Sequence, residues 1–375
     1  MNKKIRPIVK WTGGKYNEFT LFADKIPSFE RYIEPFFGGG GVFFAIRPKG
    51  KSFINDKSTD LINFYREIKN PMLHKELLHY VTAWTELGQL HVQTWKNCHS
   101  CFIDYINGQE TLDTLSEKLA YYLPIALRAS KILKDPCFLI DPVGFSTMVS
   151  ASMVDKAKRI RQICQKEQKT FTYNEFHSHF ETGVKSGAYL FFRSMLNKNY
   201  KNTLTLTPVK AAANWYFVRE FCYGSMFRYN SRGEFNIPYG GITYNKKNFK
   251  LKVESIFAKE IVSLFQETTI ANQDFESFLT GIALSEKDFI FLDPPYDSEF
   301  SEYDQSAFTQ SDQLRLANFL IKVPAKWMVV IKETPYIRQI YSQPKISINV
   351  FHKNYTYNVR GRNNRKVQHL IITNY

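Results

Sequence analysis

This chain has little that would tie it to a membrane or to an oxidising compartment. None of its apolar stretches approaches the ~20 residues that a bilayer-spanning helix needs. The N-terminus, MNKKIRPIVKW, carries charge where a secretory leader would carry an apolar core. Cytoplasmic residence without a membrane partner is the expectation. Cysteine is scarce and odd in number, 5 in 375 residues, which argues against a disulfide framework. Cys98-His99-Ser100-Cys101 makes one C-x-x-C, but Cys137 and Cys164 stand singly, so a zinc site would lack ligands and no metal is expected. Two phosphate-binding fingerprints are also missing. Gly38 to Gly41 is followed by Val42 and Phe43 with no third spaced glycine, and Lys15 after Gly13-Gly14 is followed by Tyr16 rather than Ser or Thr. Acid is in deficit: 35 Asp and Glu stand against 50 Lys and Arg, a net charge of +15. That balance implies a polyanion partner.

What is present begins with Asp293-Pro294-Pro295-Tyr296, directly behind the apolar run Phe289-Ile290-Phe291-Leu292. A strand that ends in an acid, two prolines and an aromatic ring makes a rigid polar ledge beside a stacking surface. Asp293 and the carbonyl of Pro294 can both accept N–H hydrogen bonds, and neither proline nitrogen can donate. Tyr296 supplies a π-face. The arrangement suits an exocyclic amine on a planar base turned out of its stack. An acid and two prolines are also an ordinary way to end a strand, so the N-terminal third has to decide.

There, Arg31 to Phe36 reads as a short buried strand leading into Phe37 and the four glycines, with Val42-Phe43-Phe44 opening a helix. A second strand, Lys51 to Asp56, ends in an acid about 18 residues after the first glycine, the distance at which a carboxylate of a βαβ unit reaches ribose hydroxyls. The ligand is then a nucleoside with no required pyrophosphate, and S-adenosylmethionine fits. Ahead of both lies Lys10-Trp11-Thr12-Gly13-Gly14-Lys15, a glycine loop with a cation at its tip.

Buried-looking runs near 31–36, 51–55, 268–271, 288–293, 326–332, 346–352 and 366–374 alternate with helical patterns, which predicts an α/β sheet. Asp60 is a candidate helix cap for Asp60–Lys69. From about Pro71 to Lys259 the pattern is mostly helical and too long for a simple crossover. The expectation is a catalytic domain of residues 1–70 and 260–375 interrupted by an inserted helical domain of 71–259. Between Leu196 and Lys250 nine Lys or Arg face two Glu, interleaved with Tyr, Phe, Asn and Ser, and Arg360, Arg362, Arg365 and Lys366 cluster near the end. Nucleic acid is the better reading of that mixture than a solvated face. Within it, Arg228, Asn230 and Arg232 sit on a predicted turn near Gly233 behind an aromatic helix over Trp215–Tyr223, placed to divide phosphate and base-edge contacts.

KWTGGK, EPFFGGGGVFF, IND, RYNSRGEFNIPYG, DPPY and KVQHLIITNY occur in that order. Together they resemble the Dam-type (D12 class, α-group) DNA adenine-N6 methyltransferases, well over residues 1–70 and roughly 214–375 and poorly over 71–213. The resemblance implies a Rossmann-like S-adenosylmethionine-dependent sheet, with the insert as target-recognition domain and duplex DNA as substrate. It implies that Trp11 and Lys15 line the methionine end of the cofactor, that Phe36, Gly38 and Gly40 shape the wall, and that Asp56 holds the ribose. Asp274 and Phe275 would meet the cofactor's adenine, and Asp293, Pro294 and Tyr296 the target adenine. Lys10, Arg228 and Pro238 match positions at the DNA interface. Gly224, Met226 and Phe227 depart from the usual Asn, Leu and Cys beside Arg228, which points to a target that overlaps GATC in part without necessarily being GATC. Phe300, Tyr303 and Phe308 either wall the base pocket or pack into the next helix. Cytosine-N4 transfer, RNA base methylation and a non-catalytic DNA-binding protein of the same fold are the rival readings. A restriction endonuclease partner and a solitary role both stay open.

Overall fold

The computed structural model describes residues 5–296, 308–354 and 366–375. They divide into two compact units, residues 1–69 with 257–375, and residues 70–256.

The first unit is built on a mixed sheet. In chain order it runs β1 (Arg31–Glu34), α1 (Gly41–Ile46), β2 (Ser52–Asn55) and α2 (Thr59–Glu67). Asp60 lies in the first turn of α2, where its charge suits the helix dipole; Ser58 holds the cap position, correcting the cap expected at Asp60. The chain then leaves for the second unit.

That unit consists of α3 (Pro71–Asn107), α4 (Leu112–Arg128), α5 (Pro142–Glu167), α6 (Tyr173–Tyr200), α7 (Pro208–Phe221) and α8 (Phe249–Ile256). Each long helix carries its own start signal. Asn70 accepts from the Met72 amide ahead of α3, with Pro71 in the first turn. Thr172 and Glu175 close a reciprocal capping box on α6. Thr207 accepts from the Lys210 amide with Pro208 behind it, so α7 starts well before the expected Trp215. Tyr80 sits at the centre of the helical core, its ring 4.9 Å from Phe138, 5.0 Å from Phe192 and 5.1 Å from Phe217.

The first unit resumes with α9 (Lys259–Gln266), β3 (Thr268–Ala271), α10 (Phe275–Thr280), β4 (Asp288–Leu292), α11 (Gln310–Leu320), β5 (Lys326–Lys332), α12 (Pro335–Tyr341), β6 (Ser347–Asn354) and β7 (Lys366–Thr373). The strand order is β3-β2-β1-β4-β5-β7-β6. Strands β1 to β5 are parallel and β7 is antiparallel to both β5 and β6. Strand β4 is buried at every position, as expected of a parallel strand with both faces covered. Arg31 grips Asp288 through Nε and a terminal nitrogen, both at 2.6 Å, fixing the start of β1 against that of β4. Succession along the sheet reverses between β1 and β4. In such a sheet the crevice at the carboxyl ends of those two strands is where a ligand fits.

Candidate active site

Both halves of the predicted site emerge at that crevice. Beyond β1 the chain turns through Gly38, at φ 48°, and Gly40, at φ 66°, before α1 begins. These left-handed values suit glycine. A side chain at residue 38 would place its first carbon 2.7 Å from the Trp11 ring, so the indole lies directly on the turn. The turn is tied to the end of β2 by Asp56, whose carboxylate accepts from the Gly38 amide at 2.8 Å and from the Ser58 amide at 2.9 Å.

Beyond β4, Asp293 meets Lys15. The Lys15 ammonium is buried and lies 2.5 Å from Asp293 Oδ1, 3.1 Å from the Tyr296 hydroxyl and 3.1 Å from the Gly13 carbonyl. It is also 5.4 Å from the centre of the Tyr296 ring. Three predicted residues from opposite ends of the chain therefore form one cluster. The Pro295 carbonyl accepts from the Gln313 amide at 2.8 Å, which anchors the ledge to α11.

Three phenylalanines from separate segments pack together in the same unit. Phe36 is 5.5 Å from Phe275 and 5.5 Å edge-on from Phe308, and Phe275 is 5.8 Å from Phe308. Phe308 thus packs with the predicted wall residues. Asp274, expected with Phe275 to meet the cofactor's adenine, starts α10 next to Phe275. Its carboxylate takes two bonds from Arg315, each 2.9 Å, and caps α10 through the Glu276 amide at 3.0 Å. Burial works against this carboxyl, and the Arg315 and Glu276 bonds outweigh it and hold it below the usual range.

Sequence reasoning missed two buried groups at the site. Glu34, the last residue of β1, is 2 % exposed and accepts from the Tyr32 hydroxyl at 2.8 Å. Burial pushes its carboxyl well above the usual range against that hydrogen bond, and the charges of Asp293 and Asp56 push the same way. An acid directly behind the apolar pair Tyr32-Ile33 and ahead of Pro35-Phe36-Phe37 was the available signal. His369, on β7, places Nε2 3.1 Å from the Tyr296 hydroxyl and is 0 % exposed.

In the helical unit, Arg228, Arg232 and Pro238 are exposed, as is Lys10 in the sheet unit. Arg228 donates from Nε to Asn236 Oδ1 at 2.8 Å across a short antiparallel turn. Asn230 organises that turn: its carbonyl accepts from the amides of Arg232 and Glu234, both 3.0 Å, and its amide donates to Glu234 at 2.9 Å. The Asn230 side chain is thus engaged in shaping the loop rather than held out for a base edge. Gly233 takes φ 72°, at the predicted turn. Phe300, Tyr303, Arg360, Arg362 and Arg365 lie outside the described residues, as does the side chain of Lys366. Among the described residues no group of three or more His, Cys, Asp or Glu is placed to hold a metal ion, and Cys98 and Cys101 are buried within α3.

Known proteins share this plan. The chain is 25% identical over 379 residues to the type II methyltransferase M.CviBI of Paramecium bursaria Chlorella virus NC1A, covering 99% of this chain and 100% of that one. It is 24% identical over 347 residues to the type II methyltransferase M.MjaIII of Methanocaldococcus jannaschii, covering 89% and 85%. It is 22% identical over 378 residues to a DNA adenine methylase of Vibrio cholerae, covering 98% and 96%. The family model for the D12 class N6 adenine-specific DNA methyltransferase matches residues 11–124 and 151–359. That span takes in much of the helical stretch 71–213, which motif comparison had left outside the resemblance. With the glycine turn, the DPPY ledge and the strand order in one crevice, the chain belongs to the D12 class N6 adenine-specific DNA methyltransferases.

Proposed function

We propose that this chain is a site-specific methyltransferase that uses S-adenosylmethionine to methylate N6 of an adenine turned out of duplex DNA. The observation that carries this assignment is the cluster of Asp293, Lys15 and Tyr296 at the carboxyl end of β4, beside the glycine turn at the carboxyl end of β1. When bound, S-adenosylmethionine supplies an electrophilic methyl group. The residues present fit it: the Asp56 carboxylate stands at the end of β2 against the glycine turn, half-buried Phe36 stands beside Phe275, and Trp11 lies on the turn at Gly38.

The amine of adenine is a poor nucleophile because its lone pair is spread into the ring. Asp293 Oδ and the Pro294 carbonyl would accept the two N6 protons and draw the nitrogen toward tetrahedral geometry. The carboxylate also favours the positive charge that builds on N6. In-line alignment supplies the rest. Turning out the base costs a few kcal/mol, and stacking on Tyr296 would return about 1–3 kcal/mol. For Lys15 the geometry supports a role in holding Asp293 and Tyr296 in register while it lines the cofactor's methionine end. The insert, residues 70–256, serves on this reading as the target-recognition unit, with Arg228, Arg232, Lys10 and Pro238 at the DNA and Asn230 shaping the recognition turn. A cognate restriction endonuclease is a partner in keeping with the names of the type II relatives.

Transfer of labelled methyl from S-adenosylmethionine to duplex DNA and to RNA, followed by nucleoside analysis, tests the assignment. N6-methyladenine in duplex DNA is the expected product. Label confined to RNA or to cytosine would overturn it.

A further inference from the structure

Tyr296 is the surface on which the base is to stack, and its hydroxyl lies between Lys15 Nζ and His369 Nε2, each 3.1 Å away. An ammonium has only protons to give, so the phenol oxygen accepts from Lys15. Two arrangements satisfy the contact with His369: Nε2–H donating to the second lone pair of the phenol oxygen, or the hydroxyl donating its own proton to an Nε2 that carries none. In the second the ring is neutral, with its proton on Nδ1.

His369 is well placed to be held in that state. It is fully buried on β7, paired in register with Lys332 of β5 and with Phe351 of β6. Its ring packs 5.4 Å from Phe351 and edge-on at 5.8 Å from Tyr296. Among the described residues, the charged or titratable groups placed toward it include Lys15 from the N-terminal loop, Asp293 and Tyr296 from the DPPY ledge, and Lys332 from β5. Asp293 is already paired with Lys15. A proton added to His369 would turn Nε2 into a donor facing an oxygen that already accepts from Lys15, and would add positive charge beside Lys15 and Lys332.

We propose that His369 is a positioning residue for methyl transfer: as a neutral imidazole it accepts the Tyr296 hydroxyl proton and fixes the ring against which the target base stacks. This rests on the assignment of Tyr296 to the base pocket. It predicts an acid-side loss of rate that belongs to an imidazole and acts through one hydroxyl.

The test compares single-turnover transfer to duplex DNA for the parent enzyme, His369→Gln, His369→Leu, Tyr296→Phe and the Tyr296→Phe/His369→Leu double variant, each checked for folding by its thermal melt. Calorimetry with S-adenosylmethionine alone accompanies the rates. The parent rate should fall several-fold once pH is low enough to protonate His369. His369→Gln, whose amide accepts at the same place without titrating, should stay near the parent's high-pH rate and lose most of that fall. His369→Leu should lose about tenfold in the parent and little or nothing in Tyr296→Phe, as coupled neighbours do. Cofactor affinity should stay within about twofold, since on this reading the Tyr296 ring meets the base and not the cofactor. Identical pH profiles for parent and His369→Gln, or additive losses in the double variant, would overturn the role. Should His369→Leu fail to fold, the Gln variant alone carries the pH comparison. A parent inactive on duplex DNA sinks the assignment of function itself, whereas an active parent with additive variants sinks only the role of His369.

Discussion

Lys15 and Asp293 form an ion pair at 2.5 Å across 278 residues of sequence, with the lysine side chain 1% exposed and the aspartate 18%. A buried ammonium paired in this way depends on its partner. Removing one member leaves a charge in an apolar setting, at a cost of about 3 kcal/mol for a fully buried pair and less here, because Asp293 is partly wet.

Asp293→Ala is therefore expected to abolish methyl transfer and also to lower the melting temperature. Asp293→Asn separates the two effects. It keeps a carbonyl for the Lys15 ammonium, so stability should recover much of the loss, while transfer stays down by orders of magnitude because the negative charge facing N6 is gone. A near-parental transfer rate in either variant would remove Asp293 from the mechanism.

Asp56→Ala should weaken binding of S-adenosylmethionine in the absence of DNA, by more than it weakens binding of DNA. Part of the loss is indirect, because the Gly38 amide loses its acceptor and the glycine turn loosens. Asp56→Asn, which can still accept from Gly38, should fall between the two. Calorimetry with cofactor alone measures this, and unchanged affinity in Asp56→Ala would move the ribose contact elsewhere.

The buried Glu34 makes stability depend on pH. Its folded-state carboxyl is held well above the ordinary value of 4.5, by burial first. The contribution to stability is then fully present below the unfolded value and is lost as pH rises through the folded one. Melting temperatures between about pH 5 and about pH 9 should fall for the parent. Glu34→Gln, which keeps a partner for the Tyr32 hydroxyl without a charge to suppress, should show a shallower decline. Parallel curves would show that Glu34 is not the source.

Arg228→Ala should cost on the order of 1–3 kcal/mol in DNA binding and relax choice at a single base pair. Nε donates to Asn236 Oδ1 and one terminal nitrogen to the Asn236 carbonyl at 3.4 Å, which leaves further N–H groups of the guanidinium for a base edge. Sequencing the methylome of a host that expresses parent or variant reads the outcome directly. An unchanged motif would reduce Arg228 to a phosphate contact.

Much of the sheet was legible because its strands are short apolar runs closed by an acid, a proline or glycines, as at Phe289–Tyr296 and Tyr32–Gly41. Asp56 and Asp293 could be read from their position at strand ends. What stayed hidden depends on distant pairing. Nothing in the spacing of KWTGGK says that Lys15 will turn onto Asp293, or that Arg315 will claim the Asp274 carboxylate. His369 sits in a strand whose inward face is set only by its pairing with β5 and β6. Asn230 looked like a base reader because its neighbours are arginines; the turn it holds together exists only once Tyr229 meets Phe235.

The strand order also sets a clock for synthesis. Strand β1 is flanked by β2 on one side and β4 on the other, and Arg31 finds its partner Asp288 only 257 residues later. At bacterial or eukaryotic elongation rates of roughly 5–20 residues per second, that is roughly 10–50 s during which β1 presents an open edge. The entire helical unit emerges from the ribosome in this interval. Lys15 waits longer still, 278 residues, for Asp293, and a nascent chain arrested at the close of the helical unit would hold the glycine turn with Asp56 but lack the β4 side of the crevice.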